Sequence, residues 1–138
     1  MASMKQVIEE IIAEFKAFEN VDEIYIHLFQ QGADLPEMDE SLKTKENLVR
    51  GCQSTLWFHV TREGDRYYLQ ADSDSMVVKG IAALLVRITA GQTAEEIQKL
   101  NLDFLDRLNI WKLPSERNNG LIAMLEAVKD RVSCCERR

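Results

Sequence analysis

Apolar residues recur at helical spacing at the start of the chain. Between residues 4 and 18, Val7, Ile8, Ile11, Ile12, Phe15 and Phe18 share one face, and Glu9, Glu10, Glu14 and Lys16 lie mostly opposite. This pattern predicts an amphipathic helix. A second helix is predicted over 21–33, with Val21, Ile24, Tyr25, Leu28 and Phe29 inward and a stop near Gly32, before Pro36. Residues 37–46 are charged and poor in apolar side chains, and read as a surface loop. The period then shortens to two. Leu56, Phe58 and Val60 alternate with Trp57, His59 and Thr61; after Gly64-Asp65, Tyr67, Leu69 and Ala71 alternate with Tyr68 and Gln70. That is an antiparallel hairpin. Two strands alone are marginal in water, so Asn47-Leu48-Val49 is read as a short third strand, with 51–54 as the connection.

Helical spacing resumes after Asp72-Ser73-Asp74-Ser75, a cluster suited to N-capping, with Asp74 read first as a cap. From Met76 to Ile88 the segment is apolar nearly all round, which predicts a buried central helix. Thr93 and Glu96 have capping-box spacing and open a short helix to about Leu100. Residues 101–113 look irregular or part-helical. A last helix is expected over about 115–133, with Leu121, Met124, Leu125, Val128 and Val132 inward. The expected fold class is α+β, a small antiparallel β-sheet packed with several α-helices. No repeat or Pro/Gly/Ser-rich linker divides the chain, so one domain over 1–138 is expected, with 134–138 as a frayed tail.

Composition narrows the function. With 138 residues, 46% hydrophobic and 29% charged, the chain has the make-up of an ordinary globular domain rather than a disordered one. Lys+Arg total 17 against Asp+Glu 23, a net charge of −6, the wrong sign for a general nucleic-acid binder. No apolar run approaches the roughly 20 residues of a membrane span, and the N-terminus has no signal-peptide core. Cys52, Cys134 and Cys135 form neither a CxxC pair nor an even disulfide set, which fits a reducing, cytoplasmic setting.

Candidate chemistry centres on Cys52 in Arg50-Gly51-Cys52-Gln53-Ser54. Gly51 leaves room beside the sulfur, and Arg50 is a charge that would favour the nucleophilic thiolate. A small buried hydrophobe is the competing reading, and the residues alone leave both open. His27 and His59 are the only histidines. His59 lies seven residues along the adjoining strand, and nothing in the spacing makes a Cys–His dyad. No zinc-type spacing exists, so no metal and no cofactor are expected. Arg117 opens the final helix, where a cation opposes the helix dipole unless an anion or partner meets it.

Three blocks carry a resemblance. Asn47-Leu48-Val49-Arg50-Gly51-Cys52-Gln53-Ser54-Thr55-Leu56-Trp57 resembles the signature of the SufE-type (SufE/CsdE) sulfur-acceptor family. Asp72-Ser73-Asp74-Ser75-Met76-Val77-Val78-Lys79-Gly80 and Arg117-Asn118-Asn119-Gly120-Leu121 follow in family order. The resemblance implies an α+β fold and an accessory protein, not an independent enzyme, of a cysteine desulfurase (SufS/CsdA-like). Cys52 would accept persulfide sulfur and pass it to an iron–sulfur scaffold or another sulfur acceptor. Leu48, Val49 and Trp57 would shelter the thiol, Gly51 would be the hinge, and Gln53 and Ser54 would support the loop. Asp74 and Arg117 would face the partner. Leu113-Pro114-Ser115-Glu116-Arg117 departs from the family's usual Leu-Ser/Thr-Pro-Ser/Thr-Arg, and Cys134-Cys135 match no family motif. A stand-alone redox thiol protein, with Cys134 or Cys135 resolving an oxidised Cys52, is the alternative.

Overall fold

A computed structural model describes residues 3–49, 54–101, 103–108 and 115–136, with backbone alone at 105, 106 and 115–121. Helix α1 (Met4–Lys16) opens on a reciprocal cap: Ser3 Oγ accepts from the Gln6 N–H, and Gln6 Oε1 accepts from the Ser3 N–H. It buries Met4, Ile11, Ile12 and Phe15, with Val7 and Ile8 packed at the margin. The helix stops two residues short of Phe18, whose ring nonetheless meets Phe15 edge-on at 5.4 Å. Helix α2 (Val21–Ala33) is capped by Asn20 and buries Ile24 and Leu28.

The hairpin forms as the alternation predicts. Strands β1 (Leu56–Glu63) and β2 (Arg66–Ser73) pair antiparallel from Glu63↔Arg66 at the turn to Leu56↔Ser73 at the open end. Gly64 takes φ +63° in the two-residue turn, a backbone conformation that side chains disfavour. Leu56, Phe58, Tyr67, Leu69 and Ala71 are buried on the inner face. Helix α3 (Met76–Thr89) packs against β2 and α2, and α6 (Ser115–Glu136) packs against β1 and α3. The apolar girdle of α3 is matched by burial of Val77, Val78, Ile81, Ala82, Leu84, Leu85 and Ile88. Where α2 crosses α3 the backbones nearly touch: a Cβ on Gly80 would lie 2.2 Å from the Leu28 carbonyl oxygen. Two short helices, α4 (Ala94–Gln98) and α5 (Phe104–Arg107), lead toward α6.

Four expectations are corrected. Asn47-Leu48-Val49 makes a single bridge, Leu48↔Trp57, rather than a strand, because the Asn47 N–H turns back to the Thr44 carbonyl at 3.2 Å instead of extending the ladder. Asp74 does not cap α3. Ser75 does, accepting from the Val78 N–H at 3.3 Å. The loop over 37–46 includes a 3₁₀ turn, Glu40–Leu42, and buries Met38. Finally, α6 runs three residues past its predicted end, so Cys134 and Cys135 are helical rather than frayed. Glu136 fixes that last turn, accepting from the Tyr67 hydroxyl at 2.6 Å and pairing with Arg62 at 3.2 Å. On α6, Met124, Leu125, Val128 and Val132 point inward as expected, while the side chain of Leu121 lies outside the described residues. No helix among the described residues is long and apolar enough to cross a membrane.

Candidate functional site

Gly51, Cys52 and Gln53, with Arg50, lie outside the described residues; their two flanks do not. On the leading side Val49 is buried, and its N–H donates to the Leu56 carbonyl at 2.8 Å. On the returning side Thr55 is held twice over. Its N–H donates to Asp74 Oδ1 at 3.0 Å, and its carbonyl accepts from the Asp74 N–H at 3.2 Å and the Ser73 hydroxyl at 2.6 Å. An amide-to-carboxylate bond is charge-assisted and about twice as strong as a neutral one. Val49 and Thr55, the flanks of this segment, are therefore both tied at the open end of the hairpin. Ser54, at the returning edge, is half-buried, and Asp74 is exposed.

Arg131 of α6 supplies a further tie that the sequence reading missed. Its Nη1 donates to the Phe58 carbonyl, and its Nη2 donates to the Leu48 carbonyl at 3.1 Å and the Glu46 carbonyl at 3.2 Å. Burial pushes its pKa below the usual arginine value; a guanidinium remains charged at neutral pH all the same. The sequence does carry a signal for it. Arg131 sits three residues after Val128 and next to Val132, at an inward-facing position of α6 where an apolar side chain is the default.

The outer face near the same end of the hairpin is a small ion cluster. Asp72 lies 3.1 Å from Lys43 Nζ and 3.3 Å from Lys79 Nζ, and Lys43 also sits over the Trp57 ring at 5.5 Å. Burial opposes ionisation of Asp72, but hydrogen bonds from Lys43, the Ser73 N–H and Lys79 outweigh it and hold the carboxyl below its usual range. Trp57 and Leu48 are half-buried and Val49 fully so, an apolar margin at the foot of the loop.

The other candidates separate. Arg117 lies in the first turn of α6, with its side chain outside the described residues. Cys134 and Cys135 line a cleft of about 330 Å³ together with Glu46, Asn47, His59, Val60 and Arg131. His59 Nδ1 approaches the Asn47 side-chain nitrogen at 3.5 Å. His27 belongs to a distant network, with Nε2 2.9 Å from Glu14 Oε1. Among the described residues, no cluster of three or more His, Cys, Asp or Glu side chains is arranged to hold a metal ion.

The described residues form an α+β domain whose hairpin is braced at its open end, on both flanks of the stretch of sequence that carries Cys52. Residues 9–132 match the family described as "SufE: Fe-S metabolism associated domain". The chain belongs to the SufE family, which places it in Fe–S metabolism. It is 35% identical over 126 residues to SufE-like protein 1, chloroplastic/mitochondrial, of Arabidopsis thaliana; the match covers 90% of this chain and 34% of that protein. Thus the chain spans about a third of that relative's length. The uncharacterized SufE-like protein R01000 of Rhizobium meliloti (strain 1021) is 32% identical over 128 residues, covering 88% of this chain and 91% of its own. The fold is shared with a hypothetical protein from Thermus thermophilus, known from a solution structure. The TM-score is 0.75 at 21% identity, over 96% of this chain and 97% of that one.

Proposed function

We propose that this chain accepts sulfane sulfur from a cysteine desulfurase on Cys52, stimulates that enzyme, and delivers the sulfur for iron–sulfur cluster assembly. The observation that carries the reading is the bracing of both ends of the Cys52 segment, Val49 on Leu56 and Thr55 on Asp74, in a chain of the SufE family. A thiol on a short span between fixed points can be offered to a partner and withdrawn without unfolding its base.

The chemistry needs no added oxidant. The Cys52 thiolate attacks the outer sulfur of the desulfurase persulfide, a new S–S bond forms, the old one breaks, and the desulfurase thiolate leaves with the electron pair. Cys52 then carries the persulfide. Chemistry at carbon stays with the partner's cofactor, so the chain acts as an accessory carrier and not as an enzyme by itself. Gly51 supplies the hinge, and Gln53 and Ser54 support the loop. Asp74 and Arg117 face the partner; Asp74 is exposed beside the loop while one of its oxygens holds Thr55.

The test is stimulation of a cognate desulfurase by wild-type protein and by Cys52→Ser. The variant should fold and melt as wild type yet give no stimulation; full stimulation by Cys52→Ser contradicts the reading. The redox alternative requires Cys134 or Cys135 to resolve an oxidised Cys52, and deleting residues 134–138 tests it: unchanged turnover with peroxide argues against a resolving role.

A further inference from the structure

We infer that Arg131 is a positioning residue for the Cys52 loop, tying the chain on both sides of it to α6; the inference rests on the sulfur-acceptor reading of Cys52. The guanidinium bonds Glu46 and Leu48 on the way into the loop and Phe58 on the way out. It stands where a ladder bond is missing. The Phe58 N–H reaches the Asn47 carbonyl at 2.8 Å, but the Asn47 N–H is engaged with Thr44, so the Phe58 carbonyl takes its hydrogen from Arg131 instead. Burying a guanidinium is costly without partners, and a packing position next to Val128 and Val132 would be filled more cheaply by leucine or methionine. Among the described residues Arg131 makes no salt bridge: carbonyl oxygens are its partners. The planar guanidinium fork suits this task, with N–H donors fixed in divergent directions toward carbonyls of two chain segments. Leu48 is the residue before Val49, whose bond to Leu56 closes the base of the loop. Loosening Arg131 therefore frees the root of the loop directly.

The test compares Arg131→Met and Arg131→Lys in a chain carrying Cys134→Ser and Cys135→Ser, so that Cys52 is the single thiol. Amide hydrogen exchange and the alkylation rate of Cys52 by iodoacetamide are measured in the free protein. Arg131→Met should speed exchange at Val49 and Phe58, and alkylation of Cys52, by roughly tenfold, the scale of one charge-assisted hydrogen bond. The amides of Leu28 in α2 and Ile81 in α3, which take no part in this tie, should be unmoved. Arg131→Lys, with a point charge in place of the fork, should fall between. Unchanged rates at Val49, Phe58 and Cys52 in a folded variant would overturn the inference. So would equal acceleration at Leu28 and Ile81, which would mark Arg131 as a merely structural residue. If Arg131→Met does not fold, Arg131→Lys is judged by the same two criteria. No desulfurase enters this assay, so failure of the anchor and failure of Cys52 to accept sulfur appear as separate results.

Discussion

Two half-buried arginines tie this molecule together in different ways. Arg87 of α3 meets the Glu14 carboxylate of α1 through two nitrogens, at 3.1 and 2.8 Å, and Gln31 of α2 at 2.8 Å. His27 approaches the same carboxylate. Among the described residues, Arg131 of α6 meets only backbone carbonyls, on both sides of the Cys52 segment. The helical end is thus locked by charge against charge, and the loop end by charge against dipoles. The Arg87 hydrogen bond holds the Glu14 carboxyl below its usual range against the opposing effect of burial, with His27 contributing. Neutral carbonyls do not titrate, so the Arg131 tie persists where the Glu14 tie fails.

The strongest way to stress the helical end is Gly80→Ala. The new Cβ would stand 2.2 Å from the Leu28 carbonyl oxygen and 2.6 Å from its carbon, so α2 and α3 must part. A loss of about 3 kcal/mol is expected in urea unfolding. Glu14→Gln comes next. It leaves the Arg87 charge without its carboxylate at a site about one-third exposed, and should cost about 1–2 kcal/mol, between exposed and buried pairs. It should also flatten the acid limb of stability. Because the folded pKa of Glu14 lies below 4.5, its contribution is present above that pH and is lost as pH falls through the lower, folded value. An equally steep acid limb in Glu14→Gln would show that the lock is not where the titration acts. The smallest effect concerns the last turn of α6. Burial and the bond to Glu136 push Tyr67 up to about 12. The stabilisation is present below pH 10 and is lost as pH rises toward 12, so one tyrosine absorbance step should come only near there. Tyr67→Phe should remove that late step and cost about 1 kcal/mol.

Much of the scaffold was legible from residues whose neighbours agree with their own preferences. The boundaries of α2 follow from the apolar spacing between Val21 and Phe29 and the stop near Gly32, and the hairpin register follows from Gly64-Asp65 between two alternating runs. Three of the four misreadings share a cause: each depends on which of several polar groups wins a partner. Asp74 and Ser75 are both good caps, and Ser75 takes the role because Asp74 is engaged with Thr55. The third strand shrank to a bridge through one amide of Asn47. The end of α6 reads as frayed until Tyr67 and Arg62, far away in sequence, are seen to hold Glu136. At the site, the Cys52 signature was plain in the sequence, whereas the ties at its flanks join residues up to 85 positions apart and have no local pattern.

The most direct test of the sulfur-acceptor assignment is the intact mass of the protein after incubation with a cysteine desulfurase and cysteine, without reductant, followed by peptide mapping. Added sulfur on the peptide containing Cys52, removed by reductant and missing in Cys52→Ser, is the predicted result. Sulfur found only on Cys134 or Cys135, or retained in full by Cys52→Ser, would contradict it.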